Sequence, residues 1–132
     1  MHKPSVLIVD DDREAIKAFH PMLECHGYEA RAAYDARAAL EEIERCRPDV
    51  ILLDLHLPII DGIELLRRLK MVSRFAEIPV AIVTGDYLVD EQLTAEVNRL
   101  GSRLHYKPLW EEDILQIVGS LLRRSDCRSV SG

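Results

Sequence analysis

The chain has 132 residues, 48% of them hydrophobic and 30% charged, with a formal net charge of −6. That length holds one domain with a core of its own, and the apolar share excludes a disordered chain. The acidic balance gives no electrostatic footprint for nucleic acid, and no apolar run approaches the roughly 20 residues that span a bilayer.

From the N-terminus, Met1-His2-Lys3-Pro4 leads straight into the apolar run Val6–Val9, which reads as a strand and not as a secretory leader. Ala15, Phe19, Met22 and Leu23 then share one face of a helix that Gly27 stops, and Pro21 is expected to kink or break it. Tyr28–Ala32 alternates as a strand does. Asp35 is a natural N-cap for a helix carrying Ala36, Ala39, Leu40 and Ile43, closed before Pro48. Val50–Leu53 is a second continuous apolar strand, followed by a helix with Ile63, Leu66 and Leu69. Val80–Val83 is a third, followed by a helix with Leu93, Val97 and Leu100 that ends at Gly101. Leu104–Tyr106 is a weaker strand. The last helix carries Ile114, Ile117, Val118 and Leu121, with Glu111, Glu112 and Asp113 in its first turn, where negative charge suits the helix dipole. Residues 125–132 read as a small, polar, flexible tail, which makes 1–124 the folded domain. Cys25, Cys46 and Cys127 are far apart in sequence, form no Cys-x-x-Cys motif and suit a reducing compartment.

Five β–α units in this order predict an α/β fold, a doubly wound five-stranded parallel sheet of the flavodoxin-like kind with helices on both faces. A closed barrel would need eight units and about 250 residues. Open α/β sheets bind ligands outside the carboxyl ends of their strands. Here the first strand runs into Asp10-Asp11-Asp12, the third into Asp54, the fourth into Thr84-Gly85 and the fifth into Lys107-Pro108. Carboxylates crowded at one edge repel unless a cation joins them, and oxygen-only donors select a hard ion, with Mg²⁺ the best match. An aspartate can attack phosphorus, and the transferred group then needs a cation, a hydroxyl and an ammonium around its oxygens. Asp54, Mg²⁺, Thr84 and Lys107 supply those parts. No glycine-rich phosphate loop is present.

These residues resemble a bacterial response-regulator receiver domain. The likeness runs over about residues 5–124 and rests on Val6-Leu-Ile-Val-Asp10-Asp11-Asp12, Ile51-Leu-Leu-Asp54-Leu-His56-Leu-Pro58, Asp61-Gly62, Ile82-Val-Thr84-Gly85 and Tyr106-Lys107-Pro108. The resemblance implies the sheet order 2-1-3-4-5. It implies Asp54 as phosphoacceptor, with Asp10, Asp11, Asp54 and the His56 carbonyl as Mg²⁺ ligands. Thr84 and Lys107 would bind the phosphoryl group, and the Lys107–Pro108 bond would be cis. The donor would be a sensor histidine kinase or phosphotransfer protein in the cytoplasm, the output a downstream effector protein met on the face of the fourth helix, fifth strand and fifth helix. His56 and Asp86 stand where the family tunes phosphate lifetime. Leu104 departs from the family's Tyr or Phe, and Trp110 from its small polar cap. The remaining histidines, His2, His20, His26 and His105, read as ordinary surface or core residues, and the pairs Arg67-Arg68 and Arg123-Arg124 as solvated helix faces. The apolar stripe of the last helix, Ile114, Leu115, Ile117, Val118, Leu121 and Leu122, is wide enough for a homodimer or partner surface, without nucleic acid or membrane.

Two other readings compete. A haloacid-dehalogenase-like phosphatase also uses a strand-end aspartate, but Arg13 and Glu14 stand where its hydroxyl residue belongs and its late acidic pair is missing. A degenerate receiver would act as an unphosphorylated interaction module, against which stands the intact set Asp10, Asp11, Asp54, Thr84 and Lys107.

Overall fold

A computed structural model describes residues 3–86 and 89–131, with side chains to Arg124; His2 and the Cys127 side chain lie outside the described residues. Strands and helices alternate throughout: β1 (Ser5–Val9), α1 (Arg13–Cys25), β2 (Glu29–Ala33), α2 (Ala36–Arg45), β3 (Val50–Asp54), α3 (Gly62–Met71), β4 (Val80–Thr84), α4 (Glu91–Arg99), β5 (Arg103–Tyr106) and α5 (Glu111–Ser131). All strand pairs are parallel, in the order β2-β1-β3-β4-β5. The chain therefore has the flavodoxin-like sheet that its alternation predicts.

Side-chain alternation splits the core in two. Leu7, Val9, Ile51, Leu53 and Ile82 face one way and pack on Ile43 of α2, Leu66 and Leu69 of α3 and Val97 of α4. Val6, Ile8, Val50, Leu52 and Ala81 face the other way, against Ile16 and Leu23 of α1 and Ile114 and Val118 of α5. Every residue of β1, β3 and β4 is buried, as expected for central strands covered on both faces. The edge strands β2 and β5 are mixed.

The helix ends follow local chemistry. Asp12, Asp35, Asp61 and Asp90 cap α1 to α4, each side chain accepting a backbone N–H of the first turn. Gly27 and Gly101 take positive φ, +88° and +80°, just past α1 and α4. Two stretches depart from expectation. Helix α1 runs through Pro21 without a break. An interior proline costs about 3 kcal/mol, but Ile16 before it and Met22 and Leu23 after it are buried, each contributing about 1.5–3 kcal/mol. Helix α5 continues to Ser131, past the expected boundary at Arg124; no glycine or proline occurs between Ser125 and Ser131 to stop it.

One glycine sets the distance between α3 and the end of β3. The Gly62 N–H donates to the Leu55 carbonyl at 2.8 Å. A Cβ at this position would stand 2.3 Å from the Asp54 carbonyl oxygen and 2.8 Å from Leu55 Cα, both backbone atoms. Gly62→Ala is therefore expected to cost about 1–3 kcal/mol or more in urea unfolding, because β3 and α3 must separate. Gly119→Ala, inside α5 with only the flexible Arg123 Nη1 at 3.4 Å, is the control, expected neutral or stabilising by up to about 1 kcal/mol.

Candidate functional site

Strand register builds the site. Val9 of β1 pairs with Leu53 of β3, so Asp10 and Asp54 leave adjacent strands side by side. Oxygens of Asp10, Asp11 and Asp54 all lie within 4.8 Å of one another. Asp10 and Asp54 are buried, while Asp11 faces solvent. Lys107, just past β5, reaches both buried carboxylates: its Nζ lies 3.2 Å from Asp10 Oδ2 and 3.4 Å from Asp54 Oδ2. Each carboxylate also accepts a nearby N–H, Asp10 Oδ1 from Asp12 at 2.9 Å and Asp54 Oδ1 from His56 at 3.2 Å. The third carboxylate of the triplet, Asp12, is used as the α1 cap and accepts from Glu14 and Ala15.

Burial pushes the Asp54 carboxyl up to about 6, and neighbouring Asp10 adds to the rise; Lys107 opposes it. For Lys107, burial pulls the ammonium down, but Asp10 and Asp54 outweigh it and hold it above its ordinary value. Three carboxylates against one ammonium leave a double negative charge when all are ionised. A divalent cation of the oxygen-seeking class would cancel it, and the donor set is all oxygen. The residues present therefore fit Mg²⁺.

Thr84 ends β4, fully buried, and its Oγ1 accepts the Asp86 N–H at 3.0 Å. In register it sits opposite Tyr106, and its carbonyl accepts the Lys107 N–H at 2.8 Å. His56 Nε2 and Asp86 Oδ2 face each other at 3.5 Å, partly exposed. The Lys107–Pro108 bond is cis. A cavity of about 410 Å³ opens beside Asp10, Asp54 and Lys107, walled by Ala15, Phe19 and Pro108. Leu104 is half-buried on the α2–α4 side of the sheet, whereas Tyr106 and Trp110 are exposed, the latter at 70%.

Some features escape sequence reasoning. The pairing of His56 with Asp86 is one. Ile59, fully exposed in the loop before α3, takes φ +68°, a conformation that β-branched residues rarely adopt. Arg67, expected on a solvated face, instead makes a bidentate contact with Glu96 of α4, at 2.5 and 2.7 Å. No local pattern signals any of these, because each depends on how separate elements meet.

Comparison with known proteins follows the same lines. Residues 6–119 match the family model described as response regulator receiver domain. The chain belongs to that family. The receiver is 33% identical over 120 residues to "Response regulator MprA" of Mycolicibacterium vanbaalenii, covering 91% of this chain and 51% of that protein. It is 29% identical over 128 residues to "Transcriptional regulatory protein PrrA" of Mycobacterium leprae, covering 97% and 54%. The chain thus spans about half the length of these relatives. Among solved structures it is similar to the chemotaxis protein CheY4 of Vibrio cholerae (TM-score 0.83, 27% identity, 92% of this chain and 100% of that one). It is also similar to a CheY-like receiver domain of Methanospirillum hungatei (TM-score 0.88, 26% identity, 96% and 99%). Receiver domains are signalling modules of two-component systems, and this chain carries one. Among the described residues, no helix is long and apolar enough to cross a membrane.

The raised Asp54 carboxyl gives a pH test in metal-free buffer. The folded chain holds the Asp54 proton more tightly than the unfolded chain, so this group's contribution falls as pH rises from about 4 through about 6. Asp54→Asn removes that penalty. The variant is expected to be more stable than wild type at pH 7.5, by on the order of 1 kcal/mol, with the gap closing toward pH 4. Thermal melts in EDTA across this range check it, and a variant less stable at pH 7.5 would reverse the charge balance argued here.

Proposed function

We propose that this receiver takes a phosphoryl group on Asp54 from the phosphohistidine of a sensor histidine kinase or phosphotransfer protein, in the cytoplasm, and signals to a downstream effector protein. The observation that carries the reading is the meeting of Asp10, Asp11, Asp54 and Lys107 at one point from three strand ends. Residues 1–124 are the unit that does this. An Asp54 oxygen attacks phosphorus; the new O–P bond forms as the donor N–P bond breaks, and the imidazole leaves with its electron pair and takes a proton. Asp10, Asp11, Asp54 and the His56 backbone carbonyl hold Mg²⁺, which when bound offsets charge on the phosphoryl oxygens. Lys107 stays beside Asp54 and pairs with a phosphoryl oxygen. The Thr84 hydroxyl, whose oxygen accepts from Asp86, keeps its own proton to donate to another. The protein thus catalyses its own phosphorylation and dephosphorylation without turning over a substrate.

His56 and Asp86 overhang this site and set the access of water to the acyl phosphate. The output face is α4, β5 and α5. There Leu115, Ile117, Leu121 and Leu122 lie only partly buried beside Ile114 and Val118, a stripe suited to an effector or a second copy of the chain.

Intact mass after incubation with Mg²⁺ and a small phosphodonor tests the central claim. Wild type is expected to gain one phosphoryl group and Asp54→Asn none; an adduct on Asp10 would move the chemistry to the phosphatase reading, and no adduct at all to an unphosphorylated module. His56→Ala and Asp86→Ala are each expected to change the dephosphorylation rate several-fold without blocking phosphorylation. Unchanged rates in both would remove their assigned role.

A further inference from the structure

The turn that carries Asp10, Asp11 and Asp12 is closed from outside by a side-chain stack. Asp12 donates its N–H to Asp10 Oδ1 at 2.9 Å, and Asp10 donates its own to the Ala33 carbonyl, at the end of β2, at 3.1 Å. Arg13 follows Asp12, and Tyr34 follows Ala33. Their side chains meet: the Arg13 guanidinium carbon lies 4.0 Å from the centre of the Tyr34 ring. Two hydrogen bonds and one stack thus close a ring of contacts through Asp10. The ring is anchored at both ends. Asp12 caps α1, and Asp35, next to Tyr34, caps α2 by accepting the Ala38 N–H at 2.7 Å. Arg13 adjoins Asp12 and Glu14 in sequence, yet among the described residues it makes no ion pair with either. The aromatic face is what holds it.

Asp11 sits inside this braced turn. Of the three carboxylates that meet at the site it alone faces solvent, and among the described residues its side chain has no hydrogen-bond partner. Asp10 and Asp54 are held by burial, by Lys107 and by neighbouring N–H groups. Asp11 is placed by the backbone between Asp10 and Arg13 alone. We infer that Tyr34, by stacking on Arg13, positions Asp11 for a divalent cation and so sets how tightly the acidic site holds one. Tyr34 is thus a positioning residue, on a connection between β2 and α2 that contributes no ligand of its own. The inference rests on the reading of Asp10, Asp11 and Asp54 as metal ligands. Charge alone has the opposite sign at Arg13. A guanidinium beside the ligands opposes a cation, so its removal tightens binding, whereas loss of the brace loosens it. Tyr34 is uncharged, and its substitution separates the two effects.

The test uses the full chain, labelled with ¹⁵N, unphosphorylated and freed of metal, then titrated with Mg²⁺. Tyr34→Ala is expected to raise the Mg²⁺ dissociation constant about threefold, the scale of an exposed cation–π contact. Tyr34→Phe keeps the ring and is expected to hold the wild-type value. Arg74→Ala is the control. It removes the other such stack among the described residues, Arg74 over Phe75 at 4.8 Å, past the far end of α3, and is expected to leave Mg²⁺ affinity unchanged. Before metal is added, ¹⁵N relaxation is expected to show the Asp11 and Asp12 amides more mobile in Tyr34→Ala than in wild type or Tyr34→Phe. Unchanged affinity in Tyr34→Ala would overturn the proposal, as would amides equally rigid in all three proteins. An equal loss in Tyr34→Phe would assign the effect to the hydroxyl, and an equal loss in Arg74→Ala to general loosening; either overturns it. A wild type that binds no Mg²⁺ would bring down the metal-ligand reading itself, whereas wild-type binding that Tyr34→Ala does not move removes the positioning role alone.

Discussion

Two carboxylates buried side by side do not stay together unaided, and the bridge that Lys107 makes between Asp10 and Asp54 is the constraint around which this molecule is built. At about 4 Å and an effective dielectric near 20, two like charges repel by about 4 kcal/mol. A single ammonium placed 3.2 and 3.4 Å from the two acids offsets much of that. It does not cancel it, since Asp54 remains pushed up toward 6 and Asp11 adds a further charge at the rim. The site is left electrostatically short of positive charge. That is a poor arrangement for stability alone and a suitable one for a place where a cation and a phosphoryl group come and go.

Such a cluster needs a scaffold that can carry the strain. Three central strands buried at every position, with helices on both faces, supply it. Their apolar runs need no information about the site; they only have to end together. The parallel register makes them do so, since Val9 opposite Leu53 and Leu53 opposite Ile82 bring the ends of β1, β3 and β4 to one edge. Gly62 then lets α3 begin against the Asp54 carbonyl, closer than any side chain permits. Burial thus fixes where the carboxylates emerge, and one missing Cβ fixes how tightly the loop after Asp54 folds back.

This division explains what was readable beforehand. The strands and the convergence of Asp10, Asp54 and Lys107 were legible because each rests on periodicity or on residues at strand ends, which are local, whereas the sheet order followed only from the family resemblance. The caps at Asp12 and Asp90 carry no distinct signal because each stands beside other acids, whereas Asp61, isolated like Asp35, was legible in principle. Helix α1 passing through Pro21 was not legible: propensity set the expectation, and burial of residues on both sides of the proline overrode it. The left-handed Ile59 and the Arg67–Glu96 contact were beyond reach, since one is imposed by its loop and the other joins helices 29 positions apart in sequence.

The same contrast between local and long-range contacts separates the site from the far side of the sheet. Helix α4 has one fully buried residue, Val97, and is tied to α3 by the half-exposed Arg67–Glu96 pair, a kind of contact worth about 1 kcal/mol or less. It is therefore among the elements that shift at least cost. Leu104 lies under it, aliphatic and half-buried, with no ring to swing between an inner and an outer position. What joins the site to β5 in this chain is the Lys107 ammonium that bridges Asp10 and Asp54, together with backbone: the Thr84 carbonyl holds the Lys107 N–H, and Thr84 stands in register with Tyr106. Thr84 and Lys107 are thus both tied directly to the strand. A partner that met β5 would bias the acidic site only by as much as the state of that site changed its own affinity, because the coupling between two sites is reciprocal.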